Sequence, residues 1–170
     1  MPSDGEWQEL FALAKKQSVV GICFIAIQKL GADPSTGSGQ VLDEGFARIG
    51  RSEDTYFTWV GVAAKINVQN EIVNQQCVKV QKELQKAGFE SCILKGQGVA
   101  TFYNDLAAYR QSGDIDAWVN ADCEQVLRYV KQLGLNVDFT WKHVGLNAFE
   151  DTEVELHWIP STSFIQPLPE

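Results

Sequence analysis

The sequence predicts an α+β fold, N-terminal helices packed with a small mixed sheet, and three observations predict it. Up to Gly88 the apolar residues recur at helical spacing, with Val62, Ile66, Val73, Val80 and Leu84 as the clearest series. Beyond Gly88 the pattern changes to short apolar runs separated by turn residues, which is the habit of strands. The resulting order, helices first and then β-α-β-α-β-β-β, segregates the helices from a sheet whose last strands are close enough to pair as hairpins. With 170 residues, 45% of them hydrophobic, the chain can build one core but not two ordinary ones. A single domain over residues 1–170 is therefore expected: a helical part over 1–88, an α/β part carrying the chemistry over 89–160, and a tail over 161–170 that reads as cut short.

Each element has a local reason. Ser3-Asp4-Gly5-Glu6 is a capping-box pattern, and Trp7, Leu10, Phe11 and Ala14 follow at helical spacing. Residues 19–30 read as a buried helix stopped by Gly31, and the Gly, Ser and Pro content of the next segment, ADPSTGSGQ, marks a mobile loop. From residue 42 to 87 there is no proline, so one or two long helices are expected, ending at Gly88. Strands are expected at 91–94, 115–119, 137–141, 145–149 and 154–158. A helical turn is expected at 99–103, and a helix at 122–133, capped by Asp122 and ended by Gly134.

Charge narrows the function classes. Residues 1–100 carry 11 acidic and 10 basic side chains, whereas residues 101–170 carry 11 acidic and 4 basic, which accounts for nearly all of the net −8. Such a surface repels phosphate backbones and anionic lipid, so nucleic acid is an unlikely partner and a divalent cation a natural one. The most apolar stretch, SVVGICFIAIQKL, is far short of the roughly 20 residues that span a bilayer. Cys23, Cys77, Cys92 and Cys123 form no C-x-x-C pair and read as free, buried thiols, and the first residues have no basic leader, so a cytoplasmic location without membrane attachment is expected.

The chemistry concentrates in three segments. In Arg110-Gln-Ser-Gly-Asp-Ile-Asp-Ala-Trp-Val119, strand alternation sends Asp114 and Asp116 to one face, about 7 Å apart at Cα. Two ionised carboxylates that close repel each other, and a hard cation relieves this by taking oxygen ligands. Gly113 supplies room at the strand entry. In Glu153-Val-Glu-Leu-His-Trp158, the apolar face of Val154, Leu156 and Trp158 pins the strand and projects Glu155 and His157 to the other side, where Glu155 can complete a carboxylate triad. In Ile93-Leu-Lys-Gly-Gln-Gly98, an apolar strand meets a lysine and two glycines, a grammar suited to gripping phosphate through Lys95 and the backbone of Gly96, Gln97 and Gly98. The run is neither a P-loop nor a dinucleotide fingerprint.

Arg110, with Ser112 beside it, either orients a substrate phosphate or pairs with the acids. His157 either faces the site or is an ordinary strand histidine, and His143, without an acidic partner at useful spacing, reads as structural.

Taken together, ILKGQG, RQSGDIDAWV and VELHW resemble the uncharacterised nucleotidyltransferase family of the DNA polymerase β-like superfamily, over residues 91–158. The resemblance implies an enzyme that uses a nucleoside triphosphate (NTP) with Mg²⁺ or Mn²⁺ and transfers a nucleoside monophosphate to a hydroxyl of a small molecule or protein. It implies that Gly96 is the first-motif glycine, Asp114 and Asp116 the metal-binding pair, and Glu155 the third acid, with Lys95 the lysine typical of this family. Gln97 stands where the superfamily usually has serine. The other reading is a non-catalytic nucleotide-sensing or protein-interaction module on the same fold, with the Gln-rich helix over residues 69–86 as its partner surface.

Overall fold

The structure, a computed structural model, describes residues 3–31, 52–111, 113–135 and 137–159. In chain order it contains α1 (Asp4–Lys16), α2 (Val20–Gly31), α3 (Glu53–Lys86), β1 (Ser91–Ile93), α4 (Lys95–Ala100), a 3₁₀ segment (Thr101–Tyr109), β2 (Ile115–Val119), α5 (Cys123–Leu133), β3 (Val137–Phe139), β4 (His143–Leu146) and β5 (Val154–His157). This is the expected α+β class. The expected mobile loop, the stretch 42–51, Ser112 and the tail lie outside the described residues. The chain forms two compact units, Met1–Ile72 with Ala100–Ser112 and Val73–Val99 with Gly113–Glu170.

In the first unit, α1 begins with the expected capping box: the Glu6 amide donates to Ser3 Oγ (3.3 Å) and the Ser3 amide donates to Glu6 Oε2 (2.7 Å). Its buried stripe, Trp7 and Ala14, packs with Val20, Phe24 and Ile27 of α2 and with Trp59, Ala63 and Ile66 of α3. The Phe11 ring meets the Trp59 ring edge-on at 5.1 Å. Asp4 ties two helix starts together, accepting from the Ser52 amide (3.1 Å), Ser52 Oγ (2.9 Å) and Thr55 Oγ1 (2.8 Å). Gly21 is required by packing, since a Cβ there would collide with the Tyr109 carbonyl. Buried Asn70 donates from Nδ2 to the carbonyls of Ala108 and Arg110, both at 2.8 Å, and so fastens the end of the 3₁₀ segment to α3.

In the second unit the five strands form one sheet in the order β1-β2-β5-β4-β3. β2 and β5 are parallel neighbours at its centre, and the other pairs are antiparallel. Alternation gives the sheet two different faces. Ile115, Ala117 and Val119 of β2, Val144 and Leu146 of β4, and Val154 and Leu156 of β5 form one buried apolar cluster with Val126 and Val130 of α5 and Val73, Cys77 and Leu84 of α3. The opposite face receives Asp116, Glu155, His157 and His143. α5 starts on a capping box between Asp122 and Gln125 and stops at Gly134, whose φ of 65° is the left-handed conformation that glycine adopts cheaply.

Several local expectations are corrected. The strand expected at 145–149 is β4 at His143–Leu146, because Thr140 and His143 close the hairpin: the Thr140 amide donates to the His143 carbonyl (2.9 Å) and the His143 amide donates to Thr140 Oγ1 (3.2 Å). The helical turn expected at 99–103 starts earlier, at Lys95, and continues as 3₁₀ to Tyr109. The four thiols are free, but of them Cys77 alone is buried and Cys92 is exposed, since Cys92 sits opposite Trp118 on the sheet face that does not carry the core. Burial pushes the Cys77 thiol up to about 11. Among the described residues no helix is long and apolar enough to cross a membrane.

Candidate active site

β2 and β5 run parallel with Asp116 opposite Glu155 and Trp118 opposite His157, so the two acids share a face and a level of the sheet. Asp114 lies just before β2, two residues upstream of Asp116, and the Ile115 amide is fixed by the Glu153 carbonyl at 2.9 Å. Asp114, Asp116 and Glu155 can each present a carboxylate oxygen such that all three lie within 4.8 Å of one another. Asp114 is exposed, Glu155 half-buried, and the Asp116 side chain only 2% exposed. Gly113 is not what makes room for them, because a Cβ at that position would meet nothing. The close approach nearby is at Gly145, the register partner of Glu155, where a Cβ would crowd the Glu153 carboxylate.

A carboxylate as buried as Asp116 needs partners. It has two on one oxygen: Lys95 Nζ at 2.7 Å and His157 Nε2 at 2.9 Å from Oδ1. Sheet register delivers the lysine. Ile93 pairs with Ala117, and the Leu94 amide donates to the Asp116 carbonyl at 2.8 Å, so the residue that leaves the strand next is beside Asp116. Lys95 turns there with a φ of 38°, unusual for a residue with a side chain, and Gly96 follows with a φ of 12° and ψ of −110°. The hydrogen bond to Asp116, with the nearby charges of Asp116, Glu155 and Asp114, raises the Lys95 pKa against a smaller desolvation effect. Its side chain is 62% exposed, so the ammonium remains accessible.

His157 is the hinge of the cluster. Its Nε2 is 2.9 Å from Asp116 Oδ1 and 2.9 Å from Glu155 Oε2, a position from which the tautomer protonated at Nε2 donates to both carboxylates. His143, opposite His157 across the β4–β5 pair, brings Nδ1 to 3.3 Å from Glu155 Oε2, and the two imidazoles meet edge-on at 4.8 Å. The expectation that His143 has no acidic partner is thereby corrected. Its partner is 12 residues away and reaches it only through the hairpin. The residue that sequence reasoning set aside is therefore at the site, and the available signal was strand pairing of the two H-containing runs.

The glycine segment is also built for close approach. Gly98 cannot carry a Cβ without colliding with the Ile93 carbonyl, and Gln97 Nε2 donates to Asn74 Oδ1 at 2.7 Å, anchoring the segment to α3. Arg110 belongs to the first unit, where its carbonyl accepts from Asn70, and Ser112 is outside the described residues. The donor set of Asp114, Asp116 and Glu155, three carboxylates and no sulfur or nitrogen, fits a hard divalent cation.

The comparisons agree with the resemblance drawn from the motifs. A family model described as an uncharacterised nucleotidyltransferase matches residues 3–169, nearly the entire chain. No curated protein and no solved structure matches it.

Proposed function

The chain belongs to this uncharacterised nucleotidyltransferase family, and from that premise we propose that it transfers a nucleoside monophosphate from an NTP to a hydroxyl of a small molecule or protein, with Mg²⁺ or Mn²⁺. The observation that carries the proposal is the convergence of three carboxylates from two central strands, with oxygens within 4.8 Å of each other. Asp114, Asp116 and Glu155 would hold the ion, which when bound supplies charge neutralisation at the reacting phosphate. Glu155, the more accessible of the two strand carboxylates, would take the proton of the acceptor hydroxyl. That oxygen bonds to the α-phosphorus as the bond to the pyrophosphate oxygen breaks, and pyrophosphate leaves.

Lys95 is suited to the triphosphate because its side chain is 62% exposed while the Leu94 amide just before it is held by the Asp116 carbonyl. The turn through Gly96, Gln97 and Gly98 would let backbone amides approach the phosphates. His157 is a positioning residue: by donating to Asp116 and Glu155 together it holds both carboxylates in one orientation. The acidic C-terminal part disfavours a nucleic-acid acceptor.

One observation favours the non-catalytic module instead. Asp116 Oδ1 is already taken by a lysine and a histidine, an arrangement in which the Lys95 ammonium offsets the Asp116 charge. Incubation with α-phosphate-labelled NTPs and Mg²⁺, with the protein itself and small hydroxyl compounds as acceptors, separates the two. Label on an acceptor with release of pyrophosphate is expected. Saturable NTP binding without transfer would favour the module, and no metal-dependent NTP binding would defeat the transferase.

A further inference from the structure

The carboxylate triad leaves His143 unused, although its Nδ1 is buried and makes no hydrogen bond. A buried ring nitrogen of this kind is costly to leave unpaired, and it lies 3.3 Å from Glu155 Oε2 without the alignment of a hydrogen bond. Glu155 Oε2 is in turn 2.9 Å from His157 Nε2. We propose that His143 Nδ1, Glu155 Oε2 and His157 Nε2 form a binding site for a Zn²⁺-type transition ion, separate in chemistry from the hard-cation triad and sharing only Glu155 with it.

Three features support the assignment. The donors are two imidazole nitrogens and one carboxylate oxygen, a set suited to Zn²⁺ and its neighbours rather than to Mg²⁺, which prefers oxygen throughout. The spacing is right: ligands about 2.0–2.1 Å from a tetrahedral ion stand roughly 3.3 Å from one another, and Glu155 Oε2 stands 3.3 Å from His143 Nδ1 and 2.9 Å from His157 Nε2, while the three residues can offer ligand atoms within 4.8 Å of one another. The scaffold is rigid, since His143 and His157 are register partners on paired strands and Glu155 is two residues from His157 on the same face. Their side chains are 14%, 21% and 4% exposed for His143, Glu155 and His157, so the three donors are largely shielded from water that would compete for the ion.

The ion takes the lone pair of His157 Nε2 in the tautomer protonated at Nδ1, so the ring proton passes from Nε2 to Nδ1 through solvent without net release, and His157 then no longer donates to Asp116. If the transferase reading holds, the ion also withdraws Glu155 from the triad and opposes transfer; binding itself does not depend on that reading.

The test uses the full chain stripped of metal by a chelator and titrated with Co²⁺ in excess Mg²⁺. One Co²⁺ per chain is expected, with the visible absorption of a low-coordinate nitrogen and oxygen site, displaced by one equivalent of Zn²⁺. His143→Ala should weaken binding by about tenfold or more, whereas Asp114→Asn should not. Absence of Co²⁺ and Zn²⁺ binding by the wild-type chain in Mg²⁺ would overturn the proposal, as would equal affinity in folded His143→Ala. Should that variant not fold, the His143 and His157 imidazole resonances of the wild-type chain decide: both must shift at one equivalent of Zn²⁺, and a shift of neither rejects the site. A chain that binds Zn²⁺ but, stripped of it and supplied with Mg²⁺ and NTP, transfers no nucleotide would reject the transferase and leave this site standing.

Discussion

Asp4 in the first unit and Asp116 in the second are both carboxylates with several hydrogen-bond partners, and they are engaged by different chemistry. Asp4 is half-buried and accepts from neutral donors, the Ser52 amide and hydroxyl and the Thr55 hydroxyl, at the start of two helices. Asp116 is buried and accepts from an ammonium and an imidazole. Neutral donors suffice to hold a chain together where water screens the charge. Burying a carboxylate against cations instead is a poor way to gain stability, because desolvation offsets much of the attraction. The second arrangement makes sense where the cations are exchangeable, and an exposed lysine is the kind that an incoming ion or phosphate can displace.

The largest expected effect tests that contrast at its centre. Asp116→Asn keeps an oxygen for Lys95 and His157 but removes the charge from the triad. Metal-dependent NTP binding should be lost, while unfolding free energy changes by no more than about 1 kcal/mol. Calorimetric NTP titration with Mg²⁺ and a denaturant melt on the same sample measure both. Unchanged nucleotide affinity with a large loss of stability would make Asp116 a second Asp4.

Lys95→Ala comes next and separates the two ligands of the site. Removing a positive charge from beside Asp116 should tighten Mg²⁺ binding in the absence of nucleotide. It should also weaken triphosphate binding roughly tenfold or more, the loss of about 1.5–3 kcal/mol from a charge-assisted contact, and affect the uncharged nucleoside much less. Weaker binding of Mg²⁺, triphosphate and nucleoside alike would mean that the lysine supports the local fold.

The same contrast explains what could be read from the sequence. Strand parity, a capping box and an N-cap aspartate are local rules, so the shared face of Asp114 and Asp116 and the starts of α1 and α5 were legible from a few consecutive residues. Glu155 was visible because its own strand has an apolar face to pin it. His143 was not, because its neighbours at the site are set by the pairing of β4 with β5, and the strand limits that decide this pairing follow from the Thr140–His143 closure rather than from apolar periodicity. Capture of Lys95 by Asp116 was equally hidden. It needs a positive φ at a lysine, which nothing in its residue type announces. The exposure of Cys92 belongs with these, since a single apolar-looking residue does not say which face of a sheet it will occupy.

The smallest effect is at Asp4, where the comparison can be checked by pH alone. The Ser52 amide first, and then the Thr55 and Ser52 hydroxyls, hold the Asp4 carboxyl below its ordinary 3.8. A folded-state value below the unfolded one means that the ionised group stabilises the fold above pH 3.8, and that this contribution disappears as pH falls through the lowered folded value. Asp4→Asn imitates the protonated carboxyl, so its melting temperature should lie below wild type near neutrality and approach it in acid. High salt should narrow the gap too, because the carboxylate is only half-buried and lies in the first turn of a helix whose partial positive charge it also faces. Nucleotide and metal binding should be the same in both proteins. A melting gap that persists undiminished well below pH 3.8 would show that geometry, not charge, is what Asp4 contributes to the helix junction.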